Sequence, residues 1–205
     1  MLDAALRRRL DPWLDRAGRE LARLGIGADV LTLSGFALAL AAMMAIALGS
    51  YGSWLALFLA GRILDGLDGA VARVRGITDR GGFLDIVLDF VAYSGTAFAF
   101  ALADPARNAL AAAFLLFSFV GTGSSFLAFA AVAARRGLET RARGIKSLYY
   151  LGGLTEGTET IAFFVLCCLW PRQFPLLAVL FGTACWITTA ARILAGWRTF
   201  GDGVR

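Results

Sequence analysis

Apolar residues in this chain come in long runs, without the strict polar/apolar alternation of a half-buried strand. Six runs lie at roughly 29–49, 52–72, 82–103, 106–134, 147–170 and 175–197, each near the ~20 residues that carry a helix across a bilayer. In lipid, backbone groups are satisfied only within helices or closed barrels, and the missing alternation argues against the barrel. The pattern predicts an all-α fold, a six-transmembrane-helix bundle. The links at Tyr51-Gly52, at Asp104-Pro105 and from Trp170 through Pro171 to Pro175 are short, which predicts antiparallel neighbours. No linker or low-complexity tract interrupts the pattern. Residues 1–205 read as a single membrane domain, with 1–28 a juxtamembrane segment and about 29–197 the six spans.

Ahead of the first span the period changes. Leu2, Leu6, Leu10, Trp13, Leu14, Ala17, Leu21 and Leu24 recur mostly at spacings of three and four, with arginines and acids between them. This predicts an amphipathic surface helix, its arginines meeting anionic headgroups of membrane lipids. Asp11-Pro12 resembles a cap followed by a first-turn proline and predicts a helix restart. No small-residue cleavage site follows, so no removable signal peptide is expected.

Composition adds orientation. Hydrophobic residues make up 59% of the chain, above the ~45–50% of soluble domains. The net charge is +5, and its placement is biased. Arg7, Arg8, Arg9, Arg16, Arg19 and Arg23 precede the first span. Arg73, Arg75 and Arg80 follow the second, and Arg135, Arg136, Arg141, Arg143 and Lys146 follow the fourth. The alternate connections carry only Arg107 and Arg172. Positive charge marks the cytoplasmic side, so both termini are expected inside, in the bacterial inner membrane. Arginines that track topology in this way argue against nucleic-acid binding. Cys167, Cys168 and Cys185 fall inside predicted spans without a CxxC pair, which suits small packing residues.

Acids inside the membrane carry the chemical signal, because a charge near mid-bilayer costs at least about 2–3 kcal/mol. Asp65 and Asp68 are three apart and Asp85 and Asp89 four apart, so each pair shares a helix face. The link between their helices is short enough for the faces to meet. Four converging carboxylates repel, and a divalent cation, or two, relieves the repulsion. All-oxygen ligation favours Mg²⁺ or Mn²⁺. Gly66, Gly69, Gly76, Gly81 and Gly82 surround the acids, and Arg73 follows on the same helix. Metal ions, glycines and an arginine together suit a pyrophosphate. The competing structural reading is a helix-packing patch of acid–arginine pairs. Arg62, one turn before Asp65, most simply pairs with that acid.

The stretch Asp65-Gly66-Leu67-Asp68-Gly69-Ala70-Val71-Ala72-Arg73, followed by Gly81, Asp85 and Asp89, resembles the signature of the CDP-alcohol phosphatidyltransferases, D-x-x-D-G-x-x-A-R and then G-x-x-x-D-x-x-x-D. The six spans and the surface helix match the same family. One departure stands out: the Arg73-to-Gly81 interval is one residue shorter than the family's usual spacing, with the loss expected at Val74–Ile77. The resemblance implies transfer of a phosphatidyl group from CDP-diacylglycerol to an alcohol acceptor, with release of CMP. It implies that Asp65, Asp68, Asp85 and Asp89 hold two divalent ions, that Asp89 is also the general base, and that Asp29, Thr32, Gly69, Arg73 and Thr78 contact the CDP part. It also allows a homodimer. The absence of histidine anywhere in the chain independently supports a carboxylate base.

The acceptor side rests on Lys146 at the start of span five, Arg192 in span six, and Glu156 and Glu159, read as lying well inside span five on one face. Basic residues at comparable places in the family serve phosphate-bearing acceptors. The alternative for Lys146 is a topology-setting cation, and for the glutamates interhelical hydrogen bonding. Two other functions remain from the sequence: a transporter or channel with an acidic cation path, and a non-catalytic protein that keeps the fold. No internal repeat supports the first, and no lost motif aspartate supports the second.

Overall fold

The computed structural model describes residues 2–137 and 154–201. The order is α1 (Leu2–Arg23), α2 (Ala28–Ala47), α3 (Tyr51–Arg75), α4 (Asp79–Ala103), α5 (Pro105–Arg135), α6 (Gly157–Leu169), a 3₁₀ turn (Pro171–Gln173) and α7 (Phe174–Phe200). There is no strand among the described residues. Four stretches are both long and apolar enough to cross a membrane: α2, α4, α5 and the turn with α7.

The two exceptions have separate causes. α3 has 25 residues, about 37 Å at 1.5 Å per residue, so its length suffices. Its composition does not, because it spends Arg62, Asp65, Asp68, Arg73 and Arg75 on a polar site. α6 has 13 described residues, about 20 Å, where 147–170 predicted a full span. Residues 147–153, and Lys146 with them, lie outside the described residues. Glu156 and Glu159 are therefore not deep inside a helix; they sit at the start of α6.

α1 also departs from expectation. It runs through Pro12 as one helix, with no restart, and lies across α3. A Cβ on Gly18 would come within 2.6 Å of the Ala70 Cβ, and one on Gly66 within 3.0 Å of Leu14 Cδ1. The crossing therefore falls on the D-x-x-D-G stretch itself. Trp13 remains 70% exposed, on a face left for the lipid interface.

α2 packs on α3 and α4, while α5 packs on α4 and α7. At the α2–α3 crossing Gly35 and Gly61 face each other, and a Cβ on either would stand 3.2–3.3 Å from the other's carbonyl oxygen. Small residues there let two backbones approach as membrane helices require. The core gathers at one end of the bundle: Trp54, Phe58, Phe100, Phe164 and Phe174 are buried with Cys167, Cys168 and Cys185. Phe100 stacks on Phe174 at 4.3 Å and Trp54 on Phe58 at 4.5 Å between ring centroids. Outward faces stay apolar, with Met44, Leu110, Phe117, Val120, Ile187 and Leu194 exposed. Helices apolar inside and outside belong in lipid.

Candidate metal centre and nucleotide pocket

From Trp54 to Asp68, α3 rises about 21 Å, from the aromatic core to the opposite end of the bundle. There the chain turns through Gly76, Ile77 and Thr78 into α4. Gly76 takes φ +106°, a conformation that a Cβ disfavours. This three-residue link contains half of the Val74–Ile77 stretch where the shortening was expected; Val74 and Arg75 close α3. Thr78 caps α4, its hydroxyl accepting the Gly81 N–H at 3.1 Å. The tight turn brings the two acidic faces together.

Asp65, Asp68 and Asp85 each offer a carboxylate oxygen within 4.8 Å of the other two. Asp68 is buried, and the Thr32 hydroxyl from α2 donates to its Oδ2 at 2.5 Å. Thr32, expected in the nucleotide pocket, thus also buttresses an acid. Asp89 does not join the trio. Its Oδ1 accepts from Arg62 Nη1 at 2.7 Å, whereas Asp65 Oδ2 is 3.6 Å from the same nitrogen. The expected Arg62–Asp65 pair is the longer of the two contacts. A cavity lined by Thr32, Phe36, Arg62, Asp65, Asp85 and Asp89 opens beside them.

The donor set fits a hard divalent ion. Oxygens around one Mg²⁺ at about 2.0–2.1 Å lie about 2.9 Å apart when adjacent and ~4.2 Å when opposite, so three carboxylates with oxygens within 4.8 Å of one another can close on one ion by side-chain rotation. Three buried or half-buried carboxylates gathered this closely repel one another, which is itself a reason for a cation.

The residues expected around the nucleotide form an adjoining rim. Arg73 donates through Nε and Nη2 to Asp15 Oδ1 of α1, at 3.1 and 2.6 Å. A Cβ on Gly69 would stand 3.6 Å from Arg73 Nη1, so the open space beside this glycine faces the guanidinium. Asp29 pairs with Arg80, and a Cβ on Gly81 would meet both Thr78 Oγ1 and Asp29 Oδ1, at 3.1 and 3.6 Å. Asp29, Thr78 and Gly81 therefore share one corner.

The expected acceptor residues divide. Arg192 is buried on α7, with Nη1 donating to the Thr122 carbonyl of α5 at 3.0 Å and the guanidinium over the Phe126 ring. One residue on from Thr122, Gly123 faces Phe90 of α4, so close that a Cβ would come within 2.8 Å of that ring; Phe90 directly follows Asp89. Glu156 and Glu159 form a capping box: the Glu156 side chain accepts from the N3 backbone, and Glu159 Oε2 accepts the Glu156 N–H at 3.2 Å. Their three-residue spacing is the signature of that motif.

Sequence reasoning did not identify Asp15, Tyr93 or Arg80 as part of this site. Tyr93 lies four residues after Asp89 on the same face, so a helical projection contains the signal. Asp15 and Arg80 act across elements, and nothing local in the sequence pairs them with Arg73 and Asp29.

The model of the CDP-alcohol phosphatidyltransferase family matches residues 26–194. Inner membrane protein YnjF of Escherichia coli (strain K12) is 53% identical over 199 residues, 97% of each chain. The archaetidylinositol phosphate synthase of Methanothermobacter thermautotrophicus is 45% identical over 85 residues, 41% of this chain and 40% of that one. Among solved structures, the phosphatidylinositol phosphate synthase PgsA1 of Mycobacterium tuberculosis with CDP-DAG bound superposes with a TM-score of 0.71 at 23% identity, covering 90% of this chain and 93% of that one. The same enzyme in complex with manganese and citrate gives 0.70 at 22% identity, covering 90% and 88%.

Proposed function

The chain belongs to the CDP-alcohol phosphatidyltransferase family, and from that premise we propose that it moves the phosphatidyl group of CDP-diacylglycerol onto an alcohol acceptor, releasing CMP. The protein is a membrane transferase of phospholipid synthesis. The observation that carries the reading is the convergence of Asp65, Asp68 and Asp85, with the signature arginine Arg73 on the same helix. The CDP-DAG and manganese bound to the fold-related PgsA1 support CDP-diacylglycerol as donor and a divalent cation at the acids. The inner-membrane relative supports the bacterial inner membrane, and the arginine distribution supports a cytoplasmic site and cytoplasmic termini.

In this reading Asp65, Asp68 and Asp85 would hold Mg²⁺ or Mn²⁺, and Asp89 would join for a second ion. The bound ions would supply charge neutralisation at the diphosphate. Arg73, kept in place by Asp15, takes the nucleotide side with Gly69, Asp29, Thr32 and Thr78. The acceptor oxygen attacks the phosphorus nearer the lipid, the new P–O bond forms as the P–O bond to CMP breaks, and the hydroxyl proton passes to Asp89. The chain contributes positioning and electrostatics. Buried Arg192, with Lys146, suits a phosphate-bearing polyol as acceptor. Glu156 and Glu159 shape that side by fixing where α6 begins.

Purified protein with CDP-diacylglycerol, Mn²⁺ and a panel of alcohols tests this through CMP release. Release is expected with at least one acceptor, a phosphorylated polyol foremost. No release with any acceptor, in protein that remains folded, would refute the transferase assignment.

A further inference from the structure

Arg62 is not one of the signature positions, which begin at Asp65, yet it occupies the same cavity as the acids. Its side chain is only 15% exposed. Nη1 donates to Asp89 Oδ1 at 2.7 Å and lies 3.2 Å from the Tyr93 hydroxyl oxygen. The guanidinium stands over the rings of Phe58 and Tyr93, at 5.9 and 5.6 Å from their centroids. The Gly35–Gly61 contact fixes the neighbouring backbone. The arginine is thus held from several directions by polar and aromatic partners, and a planar fork so held keeps its aim.

The consequence is an uneven division of four acids. Three have oxygens within 4.8 Å of one another. The fourth, Asp89, takes the closer share of a cation belonging to the chain: Arg62 Nη1 stands 2.7 Å from Asp89 Oδ1 and 3.6 Å from Asp65 Oδ2. An arginine at this point adds one positive charge where a divalent ion shared with Asp89 would sit, and like charges at such separations disfavour each other strongly in a cavity of low dielectric.

We propose that Arg62 is a positioning residue that keeps Asp89 off metal in the substrate-free pocket and limits that pocket to one divalent ion, on Asp65, Asp68 and Asp85. A second ion enters only with the diphosphate, whose negative charge offsets the repulsion. The inference rests on the metal-dependent transferase reading above, but the two can fail separately.

The test is Mn²⁺ binding to the purified, detergent-solubilised protein without nucleotide, followed by electron paramagnetic resonance. Wild type is expected to bind one ion. Arg62→Met is expected to bind two, with the dipolar broadening of a close Mn²⁺ pair and first-ion affinity at least about tenfold tighter. Arg62→Lys keeps the charge and is expected to retain one-ion binding, with CMP release reduced because the fork is lost. Asp89→Asn is expected to leave first-ion affinity within about twofold, since charge on Asp89 is already offset by Arg62. It supplies the decision if Arg62→Met does not fold. Two ions in substrate-free wild type, unchanged binding in folded Arg62→Met, or loss of the first ion in Asp89→Asn would each overturn the proposal while leaving the transferase reading intact. No Mn²⁺ binding in wild type, with or without substrate, would overturn both.

Discussion

The two ends of the α3–α4 pair are built from the same helices and held by opposite means. At one end Trp54 stacks on Phe58 and Phe100 on Phe174, with Phe164 buried in the same cluster. At the other, Asp65, Asp68, Asp85 and Asp89 face each other with Arg62 as the cation among them. The aromatic end lowers its energy by contact alone. The acidic end is arranged against its own repulsion, and a protein keeps such an arrangement where a ligand completes it. Stability therefore concentrates at one end and chemistry at the other, with α3 as the rigid connection.

The largest expected effect breaks the acidic end alone. Asp65→Asn, Asp68→Asn and Asp85→Asn should each reduce CMP release by at least about a hundredfold, as removal of charge-stabilising groups commonly does. Chelation should abolish release in wild type. Each variant should melt in detergent no lower than the wild type, because one repelling charge is gone. A variant that melts lower and keeps its turnover would make the acids structural and erase the contrast.

Next in size is the reverse experiment. Phe100→Ala removes a ring that is fully buried, a change that costs about 3–5 kcal/mol in well-packed cores. The melting temperature should fall markedly while turnover per folded molecule stays near wild type. Equal loss of both would mean that the two ends are mechanically coupled through α3.

A smaller effect sharpens the boundary of the acidic end. Asp15→Ala frees Arg73 from its anchor on the surface helix. Both side chains are roughly two-fifths exposed, so little stability should change. The KM for CDP-diacylglycerol should rise several-fold with kcat nearly unaltered. A lowered kcat at unchanged KM would remove α1 from donor binding.

The chain's pattern alone determined most of the architecture, because apolar runs of bilayer length and backbone hydrogen bonding in lipid leave few alternatives. It located α2, α4, α5 and α7 to within a few residues, since their hydropathy is uninterrupted. It also singled out the four aspartates, because period-three and period-four spacing puts acids on one face whatever the rest of the protein does. It misread the start of α6, where the Glu156–Glu159 spacing that suggested a functional face is a capping box; the apolar run continues past the helix end, and hydropathy does not register a cap. Only the tertiary structure decided how the acids divide. That Asp89 faces Arg62 and not the trio, that Arg73 is held by Asp15, and that Thr32 supports Asp68 depend on how α1 and α2 cross α3 and on how α4 packs against α2. The α1 and α2 crossings of α3 close at Gly18, Gly35, Gly61 and Gly66, pairings between distant parts of the chain that no local period encodes.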